Sequence, residues 1–121
     1  MKRPHKNDHL RSQEHLRLVR AQPCMISRTM GRGRVAAHHP KELFPAKMGV
    51  RISDYLCVPL SHDMHDSLHK ANNVSWWAGH RRNPYVWLKW FLRMHYAPGH
   101  AGADHALEQV EFYQGRWPDH G

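Results

Sequence analysis

The sequence predicts a small α+β domain, with a β-β-α segment at about 35–70 and further helices around it. Three observations carry this. Two short β-prone segments, "VAAH" (Val35–His38) and "YLCV" (Tyr55–Val58), flank a stretch punctuated by Pro and Gly. Directly after the second comes "SHDMHDSLHK", whose histidines recur at helical spacing. Later, "NPYVWLKWFLRMHY" places Leu88, Phe91, Leu92 and His95 three and four residues apart, on one helical face. With 121 residues, one domain is the default. A core of that size is modest and is often supplemented by a metal ion or an oligomer.

Taken in order, residues 1–8 read as a polar, basic N-terminal arm that can touch phosphate. "DHLRSQEHLRLVR" predicts a short helix over Asp8–Arg20, with Asp8 as N-cap, Leu16 and Val19 as apolar anchors, and Pro23 as its stop. A Gly-rich turn leads into the first strand, which Pro40 ends. "KELFPAKMGVRISD" is a basic loop, and the second strand follows at Tyr55–Val58. Ser61 is the candidate N-cap of a helix over Ser61–Lys70, with Asp63 and Asp66 suited to the positive end of its dipole. "NNVSWWAGHRRNP" is a connector with a short apolar turn at Trp76 and Trp77. The aromatic residues Trp76, Trp77, Trp87, Trp90 and Phe91 are read as core rather than as a base-stacking platform, because in the next helix Trp87 and Phe91 lie four apart beside Leu88 and Leu92. Residues 97–121, punctuated by Gly and Pro, read as a C-terminal tail with a short helix at Asp104–Tyr113.

Lys and Arg number 18 against 10 acidic residues, a formal charge of +8. That balance favours a polyanionic partner, nucleic acid before an anionic membrane. No apolar run approaches the roughly 20 residues of a membrane-spanning helix. "MKRPHKNDHLRSQEH" lacks the apolar core of a secretory signal. Cys24 and Cys57 are too few for a disulfide framework or a four-cysteine zinc site, and their apolar settings predict buried free thiols. A reducing cytosol is the expected compartment.

Thirteen histidines is a high count. His65 and His69 are four apart, so a helix stacks their imidazoles on one face, one turn apart, where both can bind one metal ion. His62 is three before His65, on or near that face. One helix rarely supplies a whole site, and His38-His39 at the end of the first strand is the candidate for the remaining ligand. A strand-borne histidine beside a helix-borne His-x3-His pair is the arrangement of a ββα metal finger. The matching chemistry is phosphodiester hydrolysis: a neutral histidine activates water while a divalent cation stabilises charge on the phosphate and the leaving oxygen. Lys41, Lys47, Arg51 and Lys70 are the candidates for holding the flanking DNA backbone.

"HLRLVRAQPC", "VAAHHP", "KMGVRISDYLCVPLSHDMHDSLHK" and "NNVSWWAGH" together resemble a group of small phage- and prophage-borne HNH endonucleases of the His-Me finger superfamily. The resemblance covers roughly residues 9–95 and rests on the order and spacing of short motifs. It implies a nuclease domain over 9–96, a metal-dependent DNA endonuclease activity and one divalent ion (Mg2+, Mn2+, Ni2+ or Zn2+). It also implies double-stranded DNA as substrate with low sequence specificity, and the cytoplasm of a bacterial host as location. His38 falls on the general base of the family motif and is the favoured base; the alternative, as where such fingers carry a double histidine, makes His39 the base and His38 a metal ligand. His65 and His69 fall on the metal-binding histidines, and Asp54 on an aspartate that orients the hairpin loop or a histidine. A phage protein or a second copy of the chain are the further partners considered.

The chain departs from that pattern in three places. The expected CxxC is Cys24-Met25-Ile26-Ser27, and the cysteine expected after "VPL" is Ser61. The asparagine that braces the hairpin has no counterpart, since Leu56 or Cys57 stands near its place. A non-catalytic DNA-binding module with a structural zinc is therefore the alternative, with an interaction protein using the Trp-rich helix behind it.

Overall fold

A computed structural model describes residues 10–45, 52–71 and 73–117. The basic arm 1–8, Asp8, Lys47, Arg51 and residues 118–121 lie outside the described residues. The fold is α+β: one two-stranded antiparallel sheet and five α-helices among the described residues.

The first helix, α1, runs Gln13–Arg20 and is capped by Ser12, whose side chain accepts from the His15 N–H. Glu14 in its first turn and Arg17 and Arg20 in its last suit the helix dipole. His15 and Val19, four apart, are its buried residues. Strand β1 is Val35–His38, where the sequence pattern places it.

The second strand corrects the sequence expectation. Asp54–Leu56 form a 3-10 turn, with the Ser53 side chain accepting from the Tyr55 N–H. Strand β2 begins only at Val58 and runs to Ser61. The local cap at Ser53 and the burial of Asp54 favour the turn over extended backbone. Pro59 sits inside β2, tolerable because the sheet has only two strands and each is an edge. The register pairs Val35 with Ser61 and His38 with Val58.

Helix α2, His62–Ala71, starts at the residue after β2. The Ser61 hydroxyl accepts from the Met64 N–H at 3.4 Å, Asp63 is in the first turn, and His69 and Lys70 are in the last. Leu68 is its only buried residue, so its histidine face is left for other purposes. The Trp76–Trp77 segment forms a short helix, α3, Val74–Gly79, capped by Asn73. Helix α4, Pro84–His95, is capped by Asn83, which accepts from the Tyr85 and Val86 N–H groups, with Pro84 in the first turn.

Residues read from sequence as a tail form helix α5, Ala101–Tyr113, longer than the short helix expected there. Its Ala103, Ala106 and Val110 join Leu60, Leu68, Trp77, Leu88 and Leu92 in one core. A smaller cluster of Val19, Cys57 and Phe91 joins α1 to α4. The Tyr85 hydroxyl donates to the Leu43 carbonyl at 2.8 Å and the Tyr113 hydroxyl to the Pro45 carbonyl at 3.1 Å. The loop after β1 is thereby tied to α4 and α5. Cys24 and Cys57 are free and buried. Trp77 and Phe91 are buried as expected, whereas Trp90 is 50% exposed. Among the described residues no helix is long and apolar enough to cross a membrane.

One buried polar group has a price. His15 is fully buried; its Nδ1 lies 2.7 Å from the Tyr96 hydroxyl, and its Nε2 has no partner among the described residues. Burial first, then the nearby His95, pushes its pKa down to about 4. A base with a depressed folded-state pKa contributes stability above its unfolded value, lost as pH falls toward the folded one. Between its ordinary 6.5 and about 4, the loss is on the order of 3 kcal/mol. Urea unfolding of His15→Phe across this range should show a shallower acid decline than the unaltered chain; an equal slope would mean that His15 does not carry it.

Candidate metal centre and base

Two histidines leave the end of β1 in succession, and each meets its own carboxylate. His38 is buried, and its Nε2 lies 3.1 Å from Glu42 Oε1. The buried Trp77 indole N–H donates to the same oxygen at 2.9 Å. Burial alone would raise the Glu42 carboxyl pKa, but the hydrogen bonds from His38 and Trp77 outweigh it and hold the pKa below its usual range. An ionised carboxylate only accepts, so the His38 proton belongs on Nε2 and the Nδ1 lone pair is free to bind a cation.

His39 is half-buried, with Nε2 2.9 Å from Asp54 Oδ1. Asp54 also accepts from Arg11 Nη1 at 3.1 Å and from the Ser12 N–H at 2.8 Å. Burial would raise this carboxyl too; the His39, Ser12 and Arg11 hydrogen bonds outweigh it and lower the pKa. By the same logic the His39 proton sits on Nε2 and Nδ1 is free to accept another. His39, Asp54, Arg11 and Lys41 line a common cavity of about 420 Å³. A carboxylate-oriented imidazole at the wall of a basic cavity is the geometry of a general base.

His38 faces α2. Its ring centre is 5.0 Å from that of His65, which is 5.4 Å from that of His69. Two imidazoles bound to one tetrahedral ion through bonds of about 2.0–2.1 Å have ring centres roughly 5 Å apart. Burial, and then the neighbouring His38 and His69, disfavour the charged form of His65. Crowding that penalises a proton among three rings fits a shared cation, which takes neutral imidazoles. As placed, no group of three His, Cys, Asp or Glu side chains among the described residues forms a closed metal-binding set. The set is open at the exposed His69, whose ring contact is with His65.

Sequence-predicted residues divide accordingly. His38, His65 and His69 come together, and Asp54 meets His39. His62 is exposed and turns to the loop before β1, where Nε2–H donates to the Gly33 carbonyl at 2.9 Å. Lys41 reaches the His39 cavity, whereas Lys70 lines a separate shallow one with Asp63 and Asp66. Glu42 and Arg11 are site residues that sequence reasoning misses. Glu42 has a local signal, four residues after His38 in "HHPKE"; Arg11 reaches Asp54 from 43 residues away and has none.

The chain belongs to the family described as "Protein of unknown function (DUF968)", whose model matches residues 1–98. No curated protein and no solved structure matches it.

Asp54 is the hub of this polar cluster, and Asp54→Ala should cost about 2–3 kcal/mol at pH 7 by leaving His39 and the start of α1 without their acceptor. The advantage of the unaltered chain should narrow as pH falls below the ordinary aspartate value of 3.8, where a depressed carboxylate ceases to contribute. Urea titrations of both proteins at pH 7 and near pH 3 check this; an undiminished gap would place the effect in packing alone.

Proposed function

We propose that this protein is a divalent-metal-dependent DNA endonuclease built on a ββα metal finger of the HNH, His-Me type, acting in the cytoplasm of a bacterial host and of phage or prophage origin. The observation that supports it best is the split of the His38-His39 pair. His38 joins His65 and His69 in one ring cluster, and His39 stands on Asp54 beside a separate cavity. That division favours His38 as a metal ligand and His39 as the base, the double-histidine alternative rather than the assignment of His38 as base.

His38, through Nδ1, with His65 and His69 would hold the ion. When bound there, a divalent cation supplies electrostatic stabilisation of the phosphate and the leaving oxygen. With three imidazoles as its protein ligands, such an ion would be available to polarise the phosphate. His39 Nδ1 takes a proton from water as its oxygen bonds to phosphorus. The P–O ester bond breaks, and the departing alkoxide takes a proton from solvent. Asp54 holds the His39 tautomer and steadies the imidazolium that forms. Glu42 does the same for the orientation of His38. Lys41, with the charge of +8, supports a duplex DNA substrate held by its backbone with little sequence preference.

A second reading has its own observation. Leu56 and Cys57, near the place of the bracing asparagine, are both buried and contribute no polar side chain to the hairpin. A finger without that brace supports a DNA-binding module with a structural zinc.

Nicking of supercoiled plasmid by metal-stripped protein, with Mg2+, Mn2+, Ni2+ or Zn2+ restored, separates the two. Metal-dependent nicking is expected, falling by about 100-fold or more in His39→Ala. His65→Ala should lose metal and nicking together. Nicking that persists in His39→Ala would remove it as base. Salt-sensitive DNA binding with no nicking in any metal would establish the binding module instead.

A further inference from the structure

A second cavity, of about 510 Å³, lies between the loop after α1 and the start of α4, and shares no residue with the His39 cavity or the histidine cluster. Arg28, Arg81, Arg82, Val86, Trp87 and Trp90 shape it, and no acidic side chain lines it. The three arginines form no ion pair and no side-chain hydrogen bond with another described residue. Arg28 and Arg81 have φ of 66° and 56°, the only non-glycine residues in the left-handed region among those described. Arg81 takes that conformation as the residue that closes α3, its N–H donating to the Ala78 carbonyl at 3.0 Å and that of Arg82 to the Trp77 carbonyl at 3.4 Å, so the helix end fixes where both arginines stand at the cavity.

The aromatic wall is equally prepared. Trp87 is stacked on Phe91, ring centres 4.6 Å apart at 14°, so it is already ordered. Trp90 stands beside it, half exposed, and Val86 is 62% exposed. A half-exposed indole beside guanidinium groups that have no acidic partner among the described residues matches a ligand with flat π-faces and regularly spaced anions. A second copy of this +8 chain would set arginine near arginine, which charge complementarity disfavours.

We propose that this cleft binds unpaired, single-stranded DNA, with a base stacked on Trp90 and phosphates on Arg28, Arg81 and Arg82. The choice of DNA as the polymer rests on the nuclease reading; the cleft itself does not. A substrate that engages both sites would carry a single-stranded segment beside the duplex.

The test is tryptophan-fluorescence and anisotropy titration of the full chain with a fluorescein-labelled oligo(dT) 12-mer, in EDTA, across a salt series, with circular dichroism confirming the fold of each variant. Trp90→Ala should weaken oligo(dT) binding about tenfold. Arg81→Ala/Arg82→Ala should weaken it and reduce the slope of log affinity against log salt by about 1.4. Unchanged oligo(dT) affinity in both variants, or a shift in sedimentation showing that the face joins two copies, would overturn the cleft. Because EDTA silences any cleavage, the two readings fail separately. Variant-sensitive oligo(dT) binding without nicking in any metal would keep the cleft and sink the nuclease. Metal-dependent nicking with variant-insensitive binding would do the reverse.

Discussion

The pairing of Val35–His38 with Val58–Ser61 is the constraint on which the rest depends. Its register sets His38 opposite Val58, at the far end of β2 from the start of α2. Three strand steps of about 3.4 Å separate Val58 from Ser61 by roughly 10 Å. A helix folding back across the sheet recovers that distance at about 1.5 Å per residue, so a point about seven residues past Ser61 comes level with His38. His65 and His69, about 6 and 12 Å along the helix from Ser61, bracket that level. A slip of one residue in the pairing would turn His38 to the other face and separate the three rings.

Two carboxylates then divide the labour between adjacent histidines. Glu42, locked by the Trp77 indole, serves His38; Asp54, locked by Arg11 and the Ser12 N–H, serves His39. Both acids are nearly inaccessible and both stay ionised because the donors around them outweigh burial. In a chain with so strong a positive charge, each acid has a structural duty as well as an electrostatic one. Asp54 fastens α1 to the turn before β2, and Glu42 fastens the loop after β1 to α3. The same contacts that set the imidazole tautomers also hold the hairpin to its helices.

How much of this is legible in the sequence differs element by element. β1 is legible because "VAAH" sits between a Gly-rich turn and Pro40. α2 and α4 are legible because their apolar and histidine spacings are helical, and the start of α2 carries Ser61. β2 is misplaced by three residues because "YLCVPL" is uniformly apolar, and the Ser53 cap that sends Asp54–Leu56 into a turn has only a local, two-residue signature. α5 is legible only as a short helix, Asp104–Tyr113, within a tail, because its flanking Gly and Pro outweigh a weakly amphipathic pattern; its small residues Ala103 and Ala106 matter only once they meet the core. In the site, the His-x3-His pair is visible as spacing, whereas the roles of His38 and His39 depend on which carboxylate each meets, a tertiary fact. Trp87 and Trp90 carry the same letters but different exposures, so a shared forecast of core packing fits only the first in part.

In the proposed site His38, His65 and His69 share one ion and His39 does not bind it. Cobalt(II) titration of the metal-stripped chain, followed by visible absorption, tests it most directly. One equivalent is expected to bind with a spectrum of low-coordinate nitrogen ligation, lost in His38→Ala, His65→Ala and His69→Ala and retained in His39→Ala. A site that survives His38→Ala but is lost in His39→Ala would contradict it.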